Sequence, residues 1–223
     1  MPVEITWLGH SCFRLRDRAA TVVTDPYDKN LGLNLVRVRA DIVTVSHDAD
    51  DHNYIKGIKG DFQVLAGPGE YEVSSVFVMG LELRGDRKAK KEAVTAPRNT
   101  VFLFEFDDLT VCHLGDLNIV PTQAQVEEAL GEVDVLLIPV GGGDTLNASQ
   151  AAEVVSLLEP RIVIPMHYHV PDLALKLDTV NKFLREMGLD KVAPQEMLKV
   201  GRSSLPEETQ VVLLEMKTKE EAG

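Results

Sequence analysis

Apolar and β-branched residues in the first half of the chain fall into short runs, each closed by a glycine, an Asp-Pro or a polar cluster. "VEITWLG", "CFRLR", "ATVVTDP" and "ADIVTVSH" are followed by "FQVLAG", "YEVSSVFVMGLEL", "NTVFLFEF" and "LTVCHLG". Runs of this length with these terminators predict strands. In "VFLFEFDDLTV" the period-two alternation puts Phe102, Phe104 and Phe106 on one face, and Asp107-Asp108 supplies the turn of a hairpin. The rhythm then changes. "PTQAQVEEALGE" reads as a helix opened by Pro121 and closed by Gly131. In "NASQAAEVVSLLEP", Ala151, Val154, Val155 and Leu158 have the i, i+3, i+4, i+7 spacing of a buried helical stripe. "LALKLDTVNKFLREMGL", residues 173–189, predicts a third amphipathic helix. "VDVLLIPVGG" and "RIVIPMHYH" between these helices are buried strands, and the stretch 196–216 returns to strand. The expected architecture is α/β (α+β): sheets packed on each other with helices outside, one domain over residues 1–217 and a disordered tail at 218–223.

Composition narrows the function classes. At 44% hydrophobic and 26% charged, the chain can bury an ordinary core. No apolar run of about 18 residues exists, so no membrane span is expected. The opening "MPVEITWLGH" has neither a basic nor an apolar leader region. Cys12 and Cys112 stand apart, as reduced thiols of a cytoplasmic protein would. A net charge of -12 argues against nucleic acid and anionic membranes as partners. Residues 84–98 depart from that balance, holding six Lys or Arg against two acids. They read either as a solvated loop or as a basic flap in which Arg84, Arg87, Lys88 and Arg98 meet an anionic small-molecule substrate. A homo-oligomer is left open.

All six histidines, at 10, 47, 52, 113, 167 and 169, fall in or just after an apolar strand run and none in a predicted helix. Strand ends along one sheet edge converge, so these imidazoles, with Asp51 and Asp116, are expected to share a site. Neutral imidazoles and carboxylates suit zinc, with manganese or nickel as alternatives, and an open coordination position would let a bound water act as nucleophile. The chain has no GxSxG, P-loop or GxGxxG. "GHSC" places Ser11 and Cys12 beside His10 without an orienting group.

The ordered motifs "TWLGHSCF", "TDP", "SHDADDHN", "GPGEYEV", "HLGDL", "DVLLIPVGG" and "IPMHYH" resemble the metallo-β-lactamase superfamily, and more narrowly its subgroup of Zn-dependent hydrolases that includes L-ascorbate-6-phosphate lactonases. The resemblance implies a four-layer αβ/βα sandwich. It also implies a metal-dependent hydrolase of one or two ions, acting on a small anionic ester, lactone or phosphodiester. His47, Asp51 and His52 match the first, third and fourth ligands of H-x-H-x-D-H, Asp116 the bridging carboxylate and His167 the last ligand, with Asp51 and Asp116 the catalytic candidates. Ala49 stands where the second histidine is expected, and no histidine lies between 52 and 113 where another is expected. Both losses fall on the His47 side. A degenerate, non-catalytic member that binds metal or ligand is the alternative. His10 and His113 are each read as a substitute ligand or a partner of a ligand, with packing also open for His113; His169 is read as a rim residue, and Asp25 as an acceptor for a ligand imidazole.

Overall fold

The computed structural model describes residues 1–83 and 99–218. The strands are β1 (Val3–Gly9), β2 (Cys12–Arg16), β3 (Thr21–Thr24), β4 (Val38–Arg39), β5 (Ile42–Val45), β6 (Ile58–Lys59), β7 (Gln63–Ala66), β8 (Gly69–Val73), β9 (Val76–Glu82), β10 (Thr100–Phe106), β11 (Leu109–His113), β12 (Val135–Pro139), β13 (Ile162–Met166), β14 (Leu198–Val200) and β15 (Gln210–Val211). The helices are α1 (Gln123–Gln125), α2 (Ala148–Leu158) and α3 (Val180–Glu186). One sheet has the order β14-β1-β2-β3-β5-β7 and the other β15-β13-β12-β11-β10-β9-β8, with β4 and β6 forming a small separate pair. The basic residues Arg84, Arg87, Lys88 and Arg98, and positions 219–223 of the expected tail, lie outside the described residues.

Alternation along the strands builds the sandwich. In the first sheet Ile5, Trp7, Phe13, Leu15, Val22 and Ile42 point into one large cluster with the second sheet's Val78, Phe102, Phe104 and Leu137. Their neighbours Leu8, Cys12, Val23 and Val43 point to the opposite face and pack under Tyr27, Leu31, Leu33, Val36 and Val38. That outer layer is a loop with one 3-10 turn at Lys29–Leu31, running into β4. On the far side of the second sheet, Ala151, Val154, Val155 and Leu158 of α2, and Phe183 and Leu184 of α3, join the main cluster. The architecture is the mixed α/β sandwich expected, richer in sheet than in helix. No helix among the described residues is long and apolar enough to cross a membrane.

Phe102, Phe104 and Phe106 are buried, successive rings lying 6.3 and 6.5 Å apart, and Asp107, at φ 52°, forms the hairpin turn with Asp108. "YEVSSVFVMGLEL" is two strands: Ser74 and Ser75 both have positive φ, 50° and 65°, and turn β8 back onto β9. The expected helix at 121–132 is capped by Thr122 and Gln125 but soon widens to a π-helical turn at Val126–Leu130. The expected helix over 173–189 is confined to α3. Its first half is pulled out by backbone bonds to other segments: Ala174 N–H to Leu31, Asp178 N–H to Gly141, and His169 N–H to the Asp178 carbonyl. Tertiary pairing of these groups outweighs the local amphipathic pattern.

β1, β3 and β5 run the same way, since β2 is antiparallel to both β1 and β3 while β3 and β5 are parallel. β11, β12 and β13 are also mutually parallel. His10, Asp25, His47 and His52 follow the first three of these strands, and Asp116 and His167 follow β11 and β13. All leave their strands at C-terminal ends.

Candidate metal centre

Each strand end is turned sharply to aim its side chain. His10, Asp25 and His167 have left-handed backbones, at φ 52°, 38° and 51°. Non-glycine residues adopt that region at a cost of roughly 1 kcal/mol, and such strain concentrates where a site fixes its geometry. After β5 the chain coils tightly: the carbonyl of His47 accepts from Ala49 N–H, and that of Ala49 accepts from both His52 and Asn53 N–H. Ala49 thus keeps a backbone role in the turn although its methyl group cannot bind an ion. Gly115 (φ 55°) redirects the chain beyond β11, and a Cβ there would lie 2.6 Å from that of Ser46. This bend, more than strand parity, brings Asp116 to the centre.

All five residues matched to family ligands gather together, three of them around Asp116, with Asp51 beside His52. The Asp116 carboxylate lies 2.9 Å from His52 Nε2, 3.5 Å from His167 Nε2 and 3.9 Å from His47 Nε2. Asp51 lies 3.1 Å from His52 Nδ1 and 3.3 Å from Nε2 of His10, which joins the group. Metal–nitrogen and metal–oxygen bonds of about 2.0 to 2.2 Å separate donors on one ion by roughly 3 to 4 Å. The donors of His10, His52 and His167 lie within 4.8 Å of one another, as do those of His47, His52 and Asp116. Despite this closeness, both ring nitrogens of His10 and His52, Nδ1 of His167 and Oδ1 of Asp116 are buried without a hydrogen bond among the described residues. Buried polar atoms are otherwise almost always paired. Donors this close together that make no hydrogen bonds among themselves fit a divalent ion.

The surrounding groups set how the imidazoles present their nitrogens. Asp25 accepts from Ser46 N–H and from Ser46 Oγ, both at 2.7 Å. The single Ser46 hydroxyl proton is thereby committed, so at the 3.0 Å contact between Ser46 Oγ and His47 Nδ1 the imidazole must donate. His47 consequently carries its proton on Nδ1 and turns a bare Nε2 toward Asp116. Asp25, expected to accept from a ligand imidazole, instead acts through Ser46; it is 4.0 Å from His52 and 3.9 Å from His113. His113 has no nitrogen left for an ion: Nε2 donates to the Ser11 carbonyl at 2.8 Å and Nδ1 accepts from Gly115 N–H at 3.2 Å. It ties the β1–β2 turn to the Asp116 turn. His169 is exposed.

Sequence reasoning missed Ser46 and Asn99. Asn99 accepts from Asp116 N–H at 2.8 Å and donates to the Leu114 carbonyl at 2.9 Å, clamping the Asp116 turn. The next residue, Thr100, donates its N–H to the Ser46 carbonyl at 2.8 Å. A hydroxyl directly before His47 was a usable signal for Ser46; nothing in the sequence marks Asn99.

Burial and neighbouring charge divide the protonation states. Burial, reinforced by His167, lowers His10 to about 3. Burial and His52 also lower His47. Burial works against the charge on Asp116, but His52 and His167 hold it well below the usual carboxylate range. For Asp51 too, burial is outweighed by His10 and His52, which lower it. Burial opposes a proton on His52, yet Asp116 and Asp51 raise it above an ordinary histidine. A divalent ion would take over the charge balance that this proton supplies.

A two-sheet sandwich with imidazoles and carboxylates gathered at one rim defines a class of metal-centred proteins. The sequence model of the Beta-lactamase superfamily domain matches residues 4–167. A UPF0173 protein of Pyrococcus furiosus is 30% identical over 186 residues, 74% of this chain and 83% of that protein. A UPF0173 metal-dependent hydrolase of Thermococcus kodakarensis is 26% identical over 193 residues, 75% and 85% of the two chains. A crystal structure of a metallo-beta-lactamase superfamily protein from Thermotoga maritima is 38% identical, covers 98% of this chain and 100% of that one, and superposes with a TM-score of 0.76. The chain belongs to the metallo-β-lactamase superfamily of metal-dependent hydrolases.

Proposed function

We propose that this protein is a hydrolase that holds a divalent ion on Asp51, His52, Asp116 and His167, with His47 facing the same centre, and cleaves an ester, lactone or phosphodiester of a small anionic molecule. The observation that carries the reading is the convergence of sequence-distant, buried donors that lack hydrogen bonds of their own. Zinc suits the mixed imidazole–carboxylate set, and manganese or nickel fits the same donors. Such an ion supplies Lewis-acid polarisation and a water acidified toward neutral pH. Asp116, among three imidazoles, and Asp51, between His10 and His52, would orient that water and take its proton. An anionic substrate is supported by the basic composition of residues 84–98. A lactone is one candidate because of the sequence resemblance to lactonases. The cytoplasm is the proposed compartment, on the strength of two unpaired cysteines.

The second reading, a binding protein without turnover, is favoured by Ala49 and by the absence of any histidine between 52 and 113. Metal analysis followed by a screen of generic lactones and phosphodiesters separates the two, with His52→Ala as control. Turnover by the wild type that is lost in His52→Ala supports the hydrolase; equal rates in both would place any activity elsewhere. An ion without turnover on any of these classes supports the binding reading.

A further inference from the structure

The turn joining β1 to β2 is held at the centre more firmly than a hairpin requires. Gly9 pairs with Cys12 across a bulge, leaving His10 and Ser11 as the turn. The His10 carbonyl accepts from Trp7 Nε1 at 2.9 Å and from the backbone N–H of His167 at 3.2 Å. The Ser11 carbonyl accepts from Thr24 Oγ1 at 3.0 Å and from His113 Nε2 at 2.8 Å. His10 is thus bonded backbone to backbone to a family-matched ligand, and both residues are left-handed. A turn alone would favour glycine or asparagine at that conformation. Here the residue is a histidine with no side-chain exposure, its ring 4.2 Å from that of His167 and 5.0 Å from that of His52. Among the described residues neither of its nitrogens makes a hydrogen bond, although Nε2 lies 3.3 Å from Asp51. A fully buried imidazole with a carboxylate at that distance is short of partners, and a shared ion would supply one at one of its nitrogens.

We propose that His10 is itself a ligand, adding a third imidazole to Asp51, His52, Asp116 and His167, so that the centre is complete with one ion despite Ala49. This rests on the metal reading of the site but not on the hydrolytic one. Two donor groups, His10–His52–His167 and His47–His52–Asp116, share His52, and the first sets the His10 ring beside both of the ligand imidazoles His52 and His167.

The test is Co2+ and Zn2+ titration of the metal-free full chain, comparing wild type with His10→Ala, His10→Gln and His47→Ala by affinity, Co2+ visible absorption and melting temperature. The wild type should take up one ion per chain. Both His10 variants should bind at least about 10-fold more weakly, with altered cobalt absorption. Their metal-free melting temperature should match or exceed that of wild type, while most of the metal-induced rise is lost. His47→Ala should weaken binding less. Unchanged affinity and absorption in folded His10 variants would overturn the assignment and leave the hydrolase reading standing; two ions in the wild type would overturn the single-ion count; no uptake would remove both. If neither His10 variant folds, paramagnetic NMR of the Co2+ wild type decides, through the presence or absence of large hyperfine shifts on the His10 ring.

Discussion

The His47 and His10 sides of the centre differ in how the protein treats an imidazole. His47 has Nδ1 settled by Ser46, which is in turn held by buried Asp25, so its free nitrogen is oriented before any ligand arrives. His10 has a fixed backbone and an unsatisfied ring. One side is pre-oriented through hydrogen bonds; the other is placed by backbone geometry, with Asp51 3.3 Å from its ring, and the proposed ion would complete it. The side with the elaborate hydrogen-bonded support is also the side that carries Ala49. That frame is in place although Ala49, beside it, offers no donor atom.

His52 is common to both sides, and replacing it gives the largest expected effect. His52→Ala should lower Zn2+ affinity by more than about 100-fold and reduce any hydrolytic turnover to background, read by competition titration with a chromophoric chelator. Gly115→Ala comes next. Its new methyl group meets Ser46 and Asn99 at a left-handed position, so unfolding free energy should fall by about 2 to 4 kcal/mol in urea titration, with weaker metal uptake as the Asp116 turn shifts. Ser46→Ala breaks the comparison selectively. Asp25 loses one of its two donors and His47 its acceptor, for about 1 to 3 kcal/mol of stability. His47 should then show mixed tautomers by 15N NMR of the ring, with His10 unaffected.

A pH titration sharpens the contrast. The folded pKa of His10, about 3, lies below the unfolded value of about 6.5. Between those limits the unfolded state binds the extra proton, so this residue's contribution to metal-free stability is present above pH 6.5 and falls progressively as pH drops toward 3. His52, which is raised, acts in the opposite sense, its contribution being lost as pH rises through its folded value. The difference between wild type and His10→Gln isolates the first effect: the variant's stability should decline less over that window. The smallest expected effect belongs to Ala49→His, which should add a second, weaker ion on the His47 side and leave the first unchanged.

Much of this was legible in the sequence, for identifiable reasons. Alternation in β10 foretold that Phe102, Phe104 and Phe106 share a buried face, because successive side chains of a strand point to opposite sides. The location of the histidines after apolar strands foretold convergence at one rim. The helix over 173–189 was misjudged because backbone groups in its first half bond to Leu31 and Gly141, partners far away in sequence. The roles of Ser46 and Asn99 depend on contacts that form only once β5, β10 and β11 lie side by side. His113 could not be placed from strand parity, since β11 ends at that residue and Gly115 bends the chain beyond it.

X-ray absorption at the zinc edge, on full-length protein reloaded with zinc and freed of excess metal, tests the central claim most directly. The account predicts about one ion per chain, bound only by nitrogen and oxygen at about 2.0 to 2.2 Å, with the multiple-scattering signature of three imidazoles. No retained ion, or an ion bound through sulfur, would contradict it.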